Sequence, residues 1–243
     1  MSGLAHDGQN FIREGTWIPC QTADAMSIAL LSFDVFGTVL DWRRGLRQAL
    51  GGRLSDAQFD RIVDRQGALE QAGFRPYTEI VAQSLIDELG IGAREAAAIG
   101  AAAGTWPLFP DAAKALRQLR SVAPCAAITN SDLRHRSQIE AQLGFGLDGW
   151  ICAEEVGAYK PDRRMWQMAA QRMGIKPRRE WWHVSAYADY DHETARSLGL
   201  SCVFVRRPHS RPGAADLAVA DLAALAESLA AAAPQVRLCG HDF

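Results

Sequence analysis

Short apolar segments alternate with amphipathic segments along most of the chain. The apolar segments are six to nine residues long, as expected for buried parallel strands. They occupy residues 27–35, 124–129, 149–156, 181–186 and 201–207. Segments with apolar positions at helical spacing follow them at 111–122, 133–144, 163–174 and 191–199. This alternation predicts an α/β fold with a doubly wound parallel sheet.

The first two strand-like segments are separated by about ninety residues, too many for a single crossover. Residues 43–106 are mostly helical in pattern, which predicts a helical cap inserted after the first strand. The core would then comprise residues 27–42 and 107–243, and residues 1–26 would form an N-terminal extension without regular structure. The alanine-rich segment 214–233 is expected to be one helix with a packing role.

Composition narrows the range of partners. The chain has 243 residues, 48% of them hydrophobic, and a net charge of -2, so no basic field favours nucleic acid or anionic lipid. No apolar stretch reaches the length of a membrane span and the N-terminus has no apolar signal core. We therefore expect a cytoplasmic protein with no nucleic-acid or membrane partner. The five cysteines are widely spaced, which fits reduced thiols better than disulfides or a zinc site.

Polar side chains follow four of the predicted strands at their carboxyl ends, where open parallel sheets bind ligands. They are Asp34 and Thr38 after the first strand, Thr129 and Asn130 after the second, Lys160 after the third, and Ser185, Tyr187, Asp189 and Asp191 after the fourth. Singly, each fits a helix cap or a turn. Together they supply a nucleophilic carboxylate, a hydroxyl to orient it and a cation to keep it charged.

The four motifs read "FDVFGT", "ITNSD", "YKPD" and "SAYADYD" in chain order. They resemble the four active-site loops of the haloacid dehalogenase superfamily, and the resemblance covers residues 27–207. It implies a Rossmann-like core with an inserted helical cap, and a reaction that begins with attack by Asp34.

Two positions distinguish the branches of that superfamily. Its phosphatases carry a second acid two residues after the nucleophile, where this chain has Phe36, which cannot transfer a proton. They also carry a Mg²⁺-binding acid at the position of Ala186, and a hard cation needs several oxygen ligands. A Mg²⁺-dependent phosphatase is therefore the less favoured alternative, kept because Asp189 could act as a substitute ligand. No metal or other cofactor is expected.

The segment "FDVFGTVLD" resembles instead the L-2-haloacid dehalogenases. Their halide leaving group needs no proton, and their carbon electrophile needs no metal. The resemblance implies a metal-independent hydrolase of a small 2-substituted carboxylic acid, in which Asp34 attacks the α carbon and water hydrolyses the aspartyl ester. One alternative keeps this nucleophile but opens a strained ring such as azetidine-2-carboxylate. Another is a non-catalytic binding protein, which the presence of Asp34, Thr129 and Lys160 together disfavours.

The resemblance also assigns roles to individual residues. In the catalytic set, Thr38 orients Asp34, Lys160 keeps it ionised, and Asp191 orients Lys160 or the hydrolytic water, with Ser185 beside it. The predicted substrate-binding set is Phe36, Arg65, Thr129, Asn130, Tyr187 and Trp166. No metal ligands are predicted.

Several members of the substrate-binding set have specific expected contacts. Arg65, in the cap, would bind the halide, Thr129 the substrate carboxylate, and Asn130 would lie near the halide. Tyr187 and Trp166 stand where the dehalogenases carry other polar residues. The expected partner is a small carboxylate substrate, and the resemblance also suggests a homodimer. His183 is expected to be a buried core histidine.

Overall fold

The computed structural model describes residues 27–52 and 54–232, so the extension predicted at 1–26 lies outside it. Within these residues six parallel strands form one sheet in the order β3-β2-β1-β4-β5-β6. They are β1 (Leu30–Phe33), β2 (Cys125–Thr129), β3 (Gly149–Cys152), β4 (Trp181–Ser185), β5 (Ser201–Val205) and β6 (Leu217–Val219). The predicted doubly wound α/β fold is confirmed.

Strand β1 lies at the centre of the sheet. Phe33 is in register with Ala127 of β2 on one side and with Val184 of β4 on the other. All four residues of β1 are buried, because helices cover both faces of a parallel sheet. The strand order reverses at β1, so the residue that follows this strand enters the crevice where such sheets bind ligands. That residue is Asp34.

Four helices follow β1 before the chain returns to the sheet. They are α1 (Trp42–Ala49), α2 (Asp56–Gln71), α3 (Tyr77–Leu89) and α4 (Ala93–Ala101), followed by a 3₁₀ turn at Ala103–Thr105. Helix α3 packs against both α2 and α4. Their buried residues, such as Phe59 and Ile80, belong to the same hydrophobic cluster as Phe33 of the sheet. These helices lie in the segment predicted as the cap, and the exact boundaries of that unit stay a prediction.

The remaining helices flank the sheet. They are α5 (Ala112–Leu119), α6 (Leu133–Leu143), α7 (Ala153–Val156), α8 (Arg164–Met173), α9 (Asp191–Ser197) and α10 (Leu222–Ala232). Helices α6 and α8 end at Gly144 and Gly174, which have φ values of 74° and 64°, a conformation that glycine adopts without strain. No helix in the described part of the chain is both long and apolar enough to cross a membrane.

Two predictions about element boundaries were wrong. The apolar segment 149–156 stops being a strand at Cys152 and continues as α7. The alanine-rich segment 214–233 is interrupted because Leu217–Val219 pairs with β5 as strand β6, and the helix begins only at Leu222. Pairing at the open edge of the sheet outweighs the helix propensity of this composition.

Candidate active site

Asp34 lies at the wall of a cavity of about 890 Å³ between the strand ends and helix α2. Its side chain is almost completely buried and each carboxylate oxygen has a donor. The Thr38 hydroxyl donates to Oδ2 at 2.6 Å, and Lys160 Nζ donates to Oδ1 at 2.8 Å. The Thr38 hydroxyl is itself fixed, since it accepts a 2.9 Å hydrogen bond from the backbone N–H of Ala186. The carboxylate is therefore held in one orientation.

Lys160 bridges two carboxylates. Its Nζ lies 2.8 Å from Asp34 Oδ1 and 2.8 Å from Asp191 Oδ2, and Ser185 Oγ donates to the same Asp191 oxygen at 2.8 Å. The backbone of Lys160 is anchored by Asn130, whose Oδ1 accepts from the Lys160 N–H at 2.7 Å. Residues from four strand ends thus meet in one network.

The charges in this network depend on one another. Burial raises the pKa of Asp34, an effect that the neighbouring Lys160 opposes and the Asp191 carboxylate reinforces. Burial also acts to raise the pKa of Asp191, but Lys160 and His183 hold it below its usual range. The two carboxylates in turn keep the pKa of Lys160 above its ordinary value despite burial. The ammonium group therefore favours the ionised form of the desolvated Asp34 carboxylate.

His183 is buried, as predicted, and its ring also lies next to Asp191 of this network. Trp181 Nε1 donates to Ser32 Oγ at 2.7 Å, and that hydroxyl lies 2.8 Å from His183 Nδ1. The other ring nitrogen, Nε2, lies 3.5 Å from Asp191 Oδ2. Alternation along β4 places positions 183 and 185 on the same face, so the sequence contained a signal for this neighbour of Asp191.

Phe36 and Tyr187 form part of the cavity wall. The Phe36 ring makes edge contacts with Tyr77 and His135, with centroids 5.4 and 5.9 Å apart. Tyr187 packs over Gly37, where a Cβ atom would lie 2.3 Å from the ring, and its hydroxyl accepts from Trp42 Nε1 at 2.9 Å. The position of a phosphatase's second acid is therefore occupied by an aromatic surface.

Three predicted substrate contacts are not found. Arg65 points away from the cavity and pairs with Asp87 at 2.6 Å on the surface, because its position on α2 lies off the buried face of that helix. Trp166 is fully buried between α8 and the sheet, in edge contact with His183 and outside the cavity lining, because the apolar side of α8 packs there. Thr129 is buried, does not line the cavity, and its hydroxyl has no partner among the described residues.

Residues that the sequence analysis did not select line the cap side of the cavity. Glu70 of α2 faces the cavity together with Val63 and Gly67, at the spacing of one helical face. Two arginines also line the cavity, Arg43 from the cap segment and Arg211 from the core. Helical periodicity could have separated the two residues, because Glu70 lies five positions after Arg65 and therefore on a different side of α2.

Docking of the cap on the core depends on Asp132. Its carboxylate accepts from the backbone N–H groups of Tyr77 and Thr78, at 2.6 and 2.8 Å, at the start of α3. A negative charge at a helix N-terminus satisfies free donors and complements the helix dipole. This contact holds Tyr77 against Phe36.

The residues do not form a good Mg²⁺ site. Both oxygens of Asp34 and one of Asp191 already accept hydrogen bonds, and Ala186 offers no side-chain ligand. Asp189, considered as a substitute, pairs instead with Arg211 at 3.2 Å. The donor set therefore falls short of the several oxygens that a hard cation needs.

Relatives of this chain include dehalogenases and a phosphatase. The (S)-2-haloacid dehalogenase H-109 of Pseudomonas putida is 27% identical over 190 residues, 72% of this chain and 84% of that enzyme. The (S)-2-haloacid dehalogenase 4A of Burkholderia cepacia is 32% identical over 107 residues, 43% of this chain, and the match spans 46% of the enzyme's own length. A phosphoserine phosphatase of Thermus thermophilus is 32% identical over 158 residues, 60% of this chain and 63% of that protein.

The fold and a family model agree with these relatives. The solved structure of the L-2-haloacid dehalogenase PA0810 superposes with a TM-score of 0.71 at 27% identity, over 84% of this chain and 99% of that one. The model of the haloacid dehalogenase-like hydrolases matches residues 28–184, more than half of the chain. The protein therefore belongs to the haloacid dehalogenase-like hydrolase family.

Proposed function

We propose that this protein hydrolyses a small 2-substituted carboxylic acid, with Asp34 as the nucleophile and without a metal ion. One observation carries the proposal. An oriented carboxylate faces the cavity between Thr38 and Lys160, and the aromatic ring of Phe36 stands where an acid would protonate an alcohol leaving group. A halide leaves without that proton. The dehalogenases among the relatives support the same substrate class.

The first step is a displacement at carbon. Asp34 attacks the α carbon of the substrate, the new C–O bond forms, and the halide departs with the electron pair of the broken bond. The negative charge of Asp34 disappears in the ester, and Lys160 stays paired with Asp191. Arg43 and Arg211, which line the cavity, supply positive charge for an anionic substrate and for the departing halide.

In the second step water attacks the carbonyl carbon of the Asp34 ester. The bond between this carbon and the Asp34 oxygen that carries the substrate's α carbon breaks, and the product is a 2-hydroxy acid. One oxygen of Asp34 leaves with the product, and the oxygen of water stays in Asp34. A strained-ring substrate would follow the same two steps, with a ring nitrogen as the leaving group.

Isotope labelling tests this route. The protein is incubated with a panel of 2-haloacids and azetidine-2-carboxylate in ¹⁸O-water, and the peptide that contains Asp34 is analysed by mass spectrometry. Label in Asp34 after multiple turnovers is the expected result. Absence of both label and product with every substrate would refute the proposal.

A variant and a phosphate ester complete the test. Asp34→Asn should lose all turnover while its circular dichroism spectrum stays that of the wild type, and unchanged turnover would contradict the assignment. The phosphatase alternative, which the Thermus thermophilus relative keeps open, predicts hydrolysis of p-nitrophenyl phosphate that EDTA abolishes. We expect no such activity.

A further inference from the structure

The cavity contains a carboxylate that the proposed first step does not use. Glu70 lies on α2, half-buried, and lines the same cavity as Asp34, Phe36 and Asn130. In the part of the chain that the structure describes, its side chain has no hydrogen bond and no ion pair. It therefore differs from Asp34 and Asp191, whose oxygens are engaged by Lys160, Thr38 and Ser185.

Hydrolysis of the ester needs a group that removes a proton from water. Attack by neutral water on an ester is slow, and a base positioned at the water typically contributes about 10²- to 10⁴-fold. Asp191 is unsuited to this role, because it is fully buried behind Lys160 and does not line the cavity. Asp189 does line it, but its carboxylate is paired with Arg211.

We infer that Glu70 is the general base of the second step. Asp34 and Glu70 line the same cavity from the core side and the cap side, and the inferred water molecule lies between the ester carbonyl and the Glu70 carboxylate. The inference rests on the proposed function, since it requires an Asp34 ester. It adds a catalytic residue from the cap to a centre otherwise built from core loops.

The proton balance is complete without a further reactant. As the water oxygen bonds to the ester carbonyl carbon, one water proton moves to Glu70. When the carbonyl–oxygen bond to the substrate breaks, Glu70 returns that proton to the oxygen of the leaving 2-hydroxy acid. The second water proton is released to solvent when Asp34 ionises again.

The electrostatic setting of Glu70 fits this role. Burial raises its pKa to about 7, an effect that Lys160 and Arg211 oppose, and a base is most effective when its pKa lies near the working pH. Burial raises the pKa of the hydroxyls of Tyr77, Tyr159 and Tyr190, and the charge of Glu70 raises it further. Once the ester forms, Asp34 no longer neutralises Lys160, which favours the ionised form of Glu70.

A single-turnover experiment with Glu70→Gln separates the two steps. Excess enzyme is mixed with 2-bromopropionate, quenched in acid, and followed by bromide release and intact-protein mass. The variant should release about one bromide per substrate molecule and retain the substrate as an Asp34 ester, while its steady-state kcat falls at least about 100-fold. The wild type should show faster loss of the ester as pH rises through 7, and the variant should lack this dependence.

Glu79→Gln is the matched control. Glu79 is an exposed cap residue on α3, and its replacement removes the same charge without touching the cavity. That variant should behave as the wild type does.

Two outcomes with Glu70→Gln would overturn the inference. They are turnover equal to the wild type, and a raised KM with unchanged kcat and no ester. Absence of bromide release and of ester in the wild type, together with no product from any other substrate of the panel, would instead refute the proposed function and the inference with it.

Discussion

The two walls of the cavity differ in how their charged groups are satisfied. On the core wall, Lys160 touches both Asp34 and Asp191, and these side chains are at most 4% exposed. On the cap wall, Glu70 has no ion-pair partner among the described residues. Arg43 has one ion pair, at 3.3 Å with the exposed Asp60, and its guanidinium lies 4.0 Å from the centroid of the Phe59 ring. The core wall is fixed before substrate arrives, whereas the cap wall carries charges that are free to meet substrate and water.

This difference assigns separate tasks to the walls. A fully paired buried network is costly to disturb, so Asp34 and its ammonium partner Lys160 have one stable arrangement. Side chains with unmet hydrogen-bonding capacity gain most from a ligand. We therefore expect substitutions in the core wall to remove activity and stability together, and substitutions in the cap wall to change single kinetic steps.

The largest effect is expected from Lys160→Met. Loss of the ammonium group leaves Asp34 and Asp191 buried without a counter-charge, and breaking such a pair costs about 3–5 kcal/mol. The free energy of unfolding from urea titration should fall by that amount, and halide release should disappear. Lys114→Met on the exposed face of α5 is the control. If both variants were equally stable, the core wall would not be the tightly coupled network described above.

The next effect concerns Glu70 and pH. Its pKa is raised in the folded protein, from 4.5 to about 7, so the folded state binds this proton more tightly than the unfolded state does. The resulting stabilisation is present below pH 4.5 and is lost as pH rises through 7. Since one pKa unit corresponds to about 1.36 kcal/mol, Glu70→Gln should be more stable than the wild type by about 3 kcal/mol at pH 9.

The comparison at about pH 3, below both the folded and the unfolded pKa of Glu70, is the internal control for that measurement. Both proteins carry a neutral side chain at position 70 there, so their unfolding free energies should agree. A constant difference at all pH values would show that packing rather than charge distinguishes the two side chains.

Asp132→Ala should weaken the contact between the walls. Two backbone N–H groups at the start of α3 would lose a charged acceptor, at a cost of about 2 kcal/mol. Asp60→Ala is a suitable control, because that exposed residue makes one surface pair, worth at most about 1 kcal/mol. Equal losses in urea unfolding would mean that Asp132 does not hold the cap.

The smallest effects distinguish two arginines of the cap segment. Arg43→Ala removes a cation from the cavity wall and should raise KM for an anionic substrate by about tenfold, a cost of about 1.4 kcal/mol. Arg65→Ala removes a surface ion pair and should leave kcat and KM within about twofold. The reverse result would restore the role first predicted for Arg65.

The same contrast explains what the sequence could predict. Asp34, Lys160 and Asp191 follow strand ends, and the parallel sheet brings strand ends together whatever the intervening sequence. No comparable rule relates a cap helix to the core, because its rotation is decided by packing of residues such as Phe59 and Ile80. The resemblance alone therefore predicted a substrate contact for Arg65, and the orientation of α2 was needed to show that Glu70 lines the cavity. The strand at Leu217–Val219 was missed for a similar reason, since its conformation is decided by pairing with β5 at the sheet edge and not by its own composition.

The contact made by Asp132 has a consequence for the evolution of the cap. Two of its hydrogen bonds reach backbone N–H groups of α3, and a backbone N–H is present in every residue except proline. The docking point therefore places little demand on which amino acids begin the helix. A core that carries this acid can accept a cap of changed sequence and hold it in the same position. The cap surface that lines the cavity is therefore free to diverge while Asp34 and its partners stay unchanged.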